Sequence, residues 1–337
     1  MGIRCGLEAA VHLVRSCLDA EGNKEDWCCL KVDMENAFNS CDRNAFLRRT
    51  HQVLPELFAW VQWSYHSAGE LRFGHHRVTS CSGVQQGDPL GPLLFSLCLL
   101  ELLDAIGDRL PENCRPFLSL WYLDDGTLIG PRPVIRQFLD CLLSLGPNFG
   151  LRLNMAKCEI YWPSGEQVFT QFPPAIVRIG QHCDGLDLLG SPVVGSPEFF
   201  AEAVGRRITK VLAAQHHLTD LDNPQVALHL LRSCLSLCKV NHLLRTVPAP
   251  LAANEWARFD DGLRNSLGDI MHSSISSRAW TQASLRRRIG GLGLREARSA
   301  HLAAFIGSCN SARQLCHRLL GIAPPADGDG IPCQVKP

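Results

Sequence analysis

Phe117-Leu-Ser-Leu-Trp-Tyr-Leu-Asp124-Asp125-Gly-Thr-Leu-Ile129 sets two adjacent carboxylates between apolar runs. Two such runs around a short polar turn are how a β-hairpin reads in sequence. Neighbouring aspartates repel one another and are poor strand formers. A hairpin carrying them at its tip is therefore expected to use them on divalent cations. Asp124, Asp125 and Gly126 are also ordinary turn formers, and the hairpin alone leaves both readings open. A third carboxylate favours the first: Asp33 ends another apolar run, Trp27-Cys-Cys-Leu-Lys-Val32. Two aspartate-bearing strand ends side by side would form the oxygen cage of a two-metal phosphoryl-transfer site.

Working outward, the first half of the chain alternates helical patterns with short apolar runs. A helix is expected over Leu7–Leu18, a strand up to Asp33, and helices over Arg43–Ser67 broken at Pro55. One strand is expected around Leu71–Thr79. Gly83-Val-Gln-Gln-Gly-Asp-Pro-Leu-Gly-Pro92 then reads as a loop opening into an apolar helix, Leu93–Ile106. Beyond the aspartate hairpin come a helix over Val134–Leu145 and an extended stretch over Leu151–Trp162 that carries Lys157. Residues 163–199 are dense in Pro and Gly and read as a connector holding one short strand, Leu186–Leu189. Helical patterns cover Phe199–His217, Pro224–Thr246, Ala252–His272 and Ala297–Leu320, and the tail from Ala323 has the composition of a disordered segment.

At 337 residues and 46% apolar composition, the chain is long enough for about two domains. No stretch reaches the roughly 18 uncharged apolar residues of a membrane span, and the N-terminus has no secretory pattern, so an intracellular protein without membrane contact is expected. The 16 cysteines are scattered through apolar stretches without even spacing, which points to reduced thiols. Cys234, Cys238 and His242 recur every four residues and would share one helix face. Metal binding there is geometrically conceivable, though the buried stripe of a helix explains the same spacing. Net charge is zero but polarised: residues 1–199 hold 16 Lys and Arg against 23 Asp and Glu, while residues 200–337 hold 17 against 10. That split suits one half that concentrates metal-binding carboxylates and another that grips a polyanion, although solvated surface charge would give it too.

Two further features sharpen the chemistry. Asp33-Met-Glu-Asn-Ala-Phe38 places an aromatic ring one tight turn after the first aspartate, where a phenyl edge could exclude a 2′-hydroxyl; taken alone, Phe38 is equally an ordinary core residue. Gln86-Gly87 lies just ahead of the Leu93 helix, where an amide and a bare backbone can approach a ligand.

Order and spacing together resemble a known family. The series Asp33-x-x-x-Ala37-Phe38, Gly83-Val-Gln-Gln-Gly-Asp-Pro-Leu-Gly-Pro92, Tyr122-Leu-Asp-Asp125, Gly150-Leu-Arg-Leu-Asn-Met-Ala-Lys157-Cys-Glu159 and Leu189-Gly-Ser-Pro192 resembles reverse transcriptases of non-LTR, LINE-like retrotransposons. Arg288-Ile-Gly-Gly-Leu-Gly-Leu-Arg295 looks like a segment found after the thumb in such elements.

The resemblance implies an α+β fold: a right-hand polymerase palm, an antiparallel sheet with packed helices, followed by a mostly helical thumb and C-terminal region. It implies RNA-directed DNA synthesis from dNTPs on an RNA template and a DNA primer, with two Mg²⁺ ions, or Mn²⁺, as cofactors. Asp33, Asp124 and Asp125 would be metal ligands, and Lys157 would lie near the leaving pyrophosphate. Phe38, Gln86, Gly87 and Tyr122 would contact substrate, and Leu189 and Gly190 would form the primer grip. Arg206, Arg207, Lys210, Arg286, Arg287 and Arg288 would meet the nucleic-acid backbone.

The implied boundaries are a fingers remnant over 1–32, palm and connector over 33–198, a thumb and post-thumb region over 199–322, and a tail over 323–337. Reverse transcriptases of this type carry a basic fingers region ahead of the first aspartate strand, whereas only 32 residues precede Asp33 here. An N-terminally truncated retroelement frame is therefore expected. The alternative is a catalytically inactive nucleic-acid-binding or scaffold protein that kept the fold.

Overall fold

The computed structural model describes residues 3–21, 26–163, 171–179 and 185–322. These divide into two compact units, one within Asp19–Gly180 and the other built from Ile3–Leu18 together with residues within Gln181–Pro337.

The first unit is organised by a five-stranded sheet in the order β4-β5-β1-β6-β7. Its middle strand, β1 (Trp27–Val32), buries Cys28, Cys29, Leu30 and Val32, so it reads as a continuous apolar run. It pairs antiparallel with β5 (Asp125–Pro131) on one side and β6 (Glu159–Tyr161) on the other. The edge strand β4 (Leu118–Tyr122) completes the expected aspartate hairpin with β5. At the far edge β7 (Val177–Ile179) pairs parallel with β6, so the sheet is mixed rather than wholly antiparallel.

Packed with this sheet are α2 (Ala37–Ser40), α3 (Arg43–Val53), α4 (Pro55–Tyr65), α5 (Gly91–Arg109) and α6 (Arg132–Leu145). Asp42 caps α3 by accepting from the Ala45 amide at 2.8 Å, and Pro55 opens α4 where a missing amide proton costs nothing. Helix α5 buries Leu94, Phe95, Cys98, Leu102 and Ile106 into the same core as β1.

The second unit takes Ile3–Leu18, which includes most of α1 (Gly6–Glu21), and a small hairpin, β8 (Leu186–Leu188) and β9 (Ser191–Val194), precedes the other helices. These are α7 (Pro197–His216), α8 (Pro224–Cys234), α9 (Asn241–Thr246), α10 (Ala253–Met271), α11 (Ser277–Ser284) and α12 (Ala297–Leu319). Their core centres on Val204, Ile208, Leu231, Trp256, Phe259 and Leu263. Asp260, buried on α10, accepts from the Ala297 amide at 2.5 Å and so caps α12 from a neighbouring helix. Among the described residues all cysteines are free and no helix is long and apolar enough to cross a membrane.

Several expectations change. The strand expected over Leu71–Thr79 is a hairpin, β2 (Gly69–Phe73) and β3 (His76–Ser80), turning at Gly74 and His75. Leu71, Phe73 and Val78 on it are exposed, so it lacks the alternation that marks a half-buried strand. Over Leu151–Trp162 only Glu159–Tyr161 is a strand; Lys157 sits in a turn, its amide donating to the Asn154 carbonyl at 3.0 Å. The helix expected over Pro224–Thr246 breaks after Cys234, and α11 has no counterpart among the expected elements.

Boundaries also fall elsewhere. The strand β1 begins inside the stretch read as a fingers remnant, Ile3–Leu18 belongs to the second unit, and the change of unit comes near residue 180 rather than 198. Polar side chains of α1 explain its place: Arg15 donates to the carbonyls of Pro192, Val193 and Thr246, and Glu8 pairs with Arg245 at 2.5 Å. The tail from Ala323 lies outside the described residues.

Candidate active site

Strand register brings the three aspartates together. Val32 pairs with Gly126 and Tyr122 with Asp125, so Asp33 leaves β1 beside the point where Asp125 enters β5. Leu123 and Asp124 form the two-residue turn between β4 and β5. Leu123 holds φ +59°, a left-handed conformation that costs a branched side chain about 1–2 kcal/mol. The turn is kept despite that cost, which sets Asp124 at the hairpin tip.

All three carboxylates are half-buried. Burial raises the Asp125 carboxyl above the ordinary carboxylate range, repulsion from Asp124 adds to it, and Asp33 adds a smaller share against the relief given by Lys31. Lys31 is itself held by Glu159 at 3.0 Å. The aspartates thus share one electrostatic field, and three hard oxygen donors suit a divalent cation such as Mg²⁺. Among the described residues, however, no three His, Cys, Asp or Glu side chains converge as a ready-made metal cage.

The remaining palm residues are placed by backbone ties to Asp33. The Asn154 amide donates to the Asp33 carbonyl at 2.9 Å, Glu35 donates to Arg152 at 2.8 Å, and Met34 bridges Leu153. These bonds bring the exposed Lys157 turn alongside the first aspartate. Phe38 stacks on Phe95 of α5, with ring centroids 4.4 Å apart and 16° between planes, so the ring has a fixed seat against the core. Tyr122 is exposed on the edge strand.

Gln86 and Gly87 lie exposed on a loop whose anchors carry no sequence signal. Arg43 is only 7% exposed and donates to the carbonyls of Ser80 (2.9 Å), Ser82 (3.1 Å) and Gly83 (2.9 Å) and to the Ser80 hydroxyl (2.9 Å). Its guanidinium also sits 5.4 Å from the Tyr65 ring centroid. The Tyr65 hydroxyl donates to Asp88 and accepts the Gln85 amide at 3.1 Å; burial, then the Asp88 bond, pushes its pKa up to about 12. A lone Arg at a helix start gives no hint of such a role. Arg43→Met is expected to destabilise the protein by about 2–4 kcal/mol, because it strips charge-assisted bonds from four acceptors at once. Chemical denaturation checks this, and an unchanged midpoint would remove Arg43 as the anchor.

Other predicted residues belong to the second unit. Leu189 (φ +50°) and Gly190 (φ +79°) form the turn of the β8–β9 hairpin, as a type I′ turn requires. His242 Nε2 lies 3.1 Å from the Leu189 carbonyl, and burial lowers the pKa of this imidazole, which favours the neutral ring as the donor. The idea of a shared Cys234, Cys238 and His242 face fails: α8 ends at Cys234, both thiols are exposed, and His242 lies on α9. The chain bends between them, so neither a metal face nor a buried stripe forms.

Arg206 pairs with Glu202 at 3.0 Å and Asp187 at 3.4 Å, and Arg207 donates to the Lys239 carbonyl at 2.9 Å. Lys210, Arg286, Arg287 and Arg288 are exposed and make no ion pair among the described residues.

An antiparallel hairpin that presents paired aspartates beside a third on the next strand defines a polymerase palm, and the family model for reverse transcriptase (RNA-dependent DNA polymerase) matches residues 8–193. The chain belongs to the reverse transcriptase family. It is similar to the retrotransposable element SLACS 132 kDa protein of Trypanosoma brucei gambiense, 23% identical over 94% of this chain and 26% of that protein. It is also similar to the Pol polyprotein from the type-1 retrotransposable element R2 of Nasonia vitripennis, 26% identical over 40% of this chain and 14% of that protein. The chain therefore spans about a quarter of the SLACS protein's length. Among solved structures, apo telomerase from Candida tropicalis aligns at TM-score 0.48 and 11% identity, covering 95% of this chain and 57% of that one.

Proposed function

We propose that this chain carries the palm and helical thumb of an RNA-directed DNA polymerase of non-LTR retrotransposon type, extending a DNA primer on an RNA template. The observation that supports it most is the register that sets Asp33 beside Asp125, with Asp124 at the adjoining turn. In the reaction, the primer 3′-hydroxyl oxygen bonds to the α-phosphorus of a dNTP. Its proton leaves, the bond to the bridging oxygen breaks, and pyrophosphate departs.

Asp33, Asp124 and Asp125 would hold two Mg²⁺ ions, with Mn²⁺ as a substitute; such ions would neutralise charge on the phosphoryl oxygens. Lys157, on the turn tied to the Asp33 backbone, supplies a cation for the leaving group. Phe38, fixed by Phe95, stands as the steric gate against a 2′-hydroxyl. Gln86, Gly87 and Tyr122 contact the nucleotide and template, and the Leu189–Gly190 turn supports the primer strand. Lys210 and Arg286–Arg288, which make no ion pair among the described residues, are better placed to meet phosphates than Arg206 and Arg207, which are already engaged.

The test is primer extension on poly(A) annealed to oligo(dT), with dTTP and Mg²⁺, comparing this chain with an Asp124→Asn, Asp125→Asn double variant. Extension by the first and not by the second is expected. Extension by neither, with duplex binding retained, would leave a nucleic-acid-binding protein without the chemistry.

A further inference from the structure

The segment Arg286–Arg295 folds back on α11: the Leu292 amide donates to the Ala283 carbonyl at 3.0 Å, and the Gly293 amide to Leu285 at 2.9 Å. Gly293 lies at φ +80°, a conformation that a side chain would strain. A β-carbon built on it would stand 3.6 Å from Cδ of Arg232 and 3.9 Å from Cγ of Arg287. Two arginine stems, 55 residues apart in sequence, thus converge over one bare stretch of backbone. Arg232 comes from α8, and nothing in its local sequence, Leu231-Arg232-Ser233, marks it.

Neither arginine has a carboxylate partner among the described residues. Among the described residues Arg232 instead has an imidazole beside it, with Nη2 3.2 Å from Nδ1 of His229. The nearest acidic side chain in sequence, Glu296, is already occupied by Trp280 Nε1 at 2.6 Å and the Ser299 hydroxyl at 2.9 Å. Arg286, Arg288 and Arg295 add exposed cations on the same short segment, without an ion pair among the described residues. Three other arginines of this unit do have carboxylate partners: Arg245 with Glu8, Arg258 with Glu255 and Arg298 with Asp260. Like charges crowded without a counterion repel, and an anion with several oxygens relieves that repulsion while accepting from both guanidinium forks.

We infer that Arg232 and Arg287, whose stems meet beside Gly293, form a seat for a backbone phosphate of an RNA–DNA hybrid. The inference rests on the polymerase reading above and adds to it a residue, Arg232, that no motif contains. A phosphodiester occupies the seat as part of a strand, so free inorganic phosphate at matching concentration competes weakly.

The experiment measures binding of a fluorescent RNA–DNA hybrid to the full chain across a salt series. Removing one cation that meets a phosphate reduces the slope of log K against log salt by about one. Arg232→Gln and Arg287→Gln are each expected to reduce the slope by about one and weaken binding about tenfold at low salt. Arg318→Gln, which removes an exposed arginine in the last turn of α12, controls for charge count alone and is expected to leave the slope nearly unchanged. Gly293→Ala keeps every charge and meets both stems only at ordinary contact distance, so it is expected to leave the salt slope unchanged. Equal effects of Arg232→Gln and Arg318→Gln would overturn the seat while leaving the polymerase reading intact. Displacement of the hybrid by millimolar inorganic phosphate would reassign the seat to a free anion. No hybrid binding by the wild-type chain would overturn both readings.

Discussion

Replacing Asp33 by Asn is expected to cut primer extension by about a thousandfold or more, the scale on which losing one preorganised charge at a reacting phosphoryl centre is felt. Asp33 is singled out because it alone comes from the end of β1, whereas the other two carboxylates share one hairpin. Binding of the RNA–DNA hybrid should be retained, which separates a chemical defect from a folding one. A variant that still extends primers at a tenth of the wild-type rate would exclude Asp33 from the centre.

The same carboxylates predict the opposite sign for stability. Burial, with Asp124 and then Asp33, raises the Asp125 carboxyl above its ordinary range. An acid whose folded-state pKa is raised keeps its proton longer in the folded protein than in the unfolded one. Its ionisation therefore destabilises the metal-free fold in full above the folded pKa, and the penalty disappears as pH falls to the ordinary value. Asp125→Asn should accordingly melt above wild type at pH 7 in chelator, with the gap narrowing through the carboxylate range. A gap independent of pH would show that the gain is not electrostatic. Such opposition between stability and chemistry is expected where like charges are held together for a cation.

Gly150→Ala is expected to destabilise the protein by about 4 kcal/mol. Gly150 adopts φ +69°, and a β-carbon there would lie 2.0 Å from the Ser40 carbonyl oxygen and 3.1 Å from the Asp42 amide nitrogen. Those atoms are backbone, so no side chain can swing aside. Asp42 also donates to the Phe149 carbonyl at 2.8 Å, locking the two segments together. Gly87→Ala is the contrast: φ is +89° but nothing lies within 4 Å, leaving only conformational strain of about 1–2 kcal/mol. Denaturant midpoints for the two variants should differ accordingly, and equal midpoints would show that the Gly150 segment yields. The motif Gly150-Leu-Arg-Leu-Asn-Met-Ala-Lys157 thus opens on a residue whose role is to let the chain pass close to α2 before it turns beside Asp33.

The local elements were legible because local patterns encode them. The apolar run ending at Asp33, the Asp124–Asp125 hairpin, the helix from Arg43 and its break at Pro55 each depend on residues within a few positions of one another. Motif order then sufficed to place the chain in its family.

Long-range contacts decided the rest. Helical spacing could not show that Ile3–Leu18, with most of α1, belongs to the second unit, since that follows from Arg15 and Glu8 meeting partners at residues 192, 193, 245 and 246. The period of four among Cys234, Cys238 and His242 carried no shared face once the chain bent after Cys234. Arg43 beneath the Gln86 loop, and Arg232 beside Arg287, are single cations whose significance comes from what folds against them. Sequence by itself determined the family, the strand ending at Asp33 and the Asp124–Asp125 hairpin. Tertiary structure alone decided which side chains hold them in place, because a buried hydrogen bond or an uncompensated charge exists only after distant segments have met.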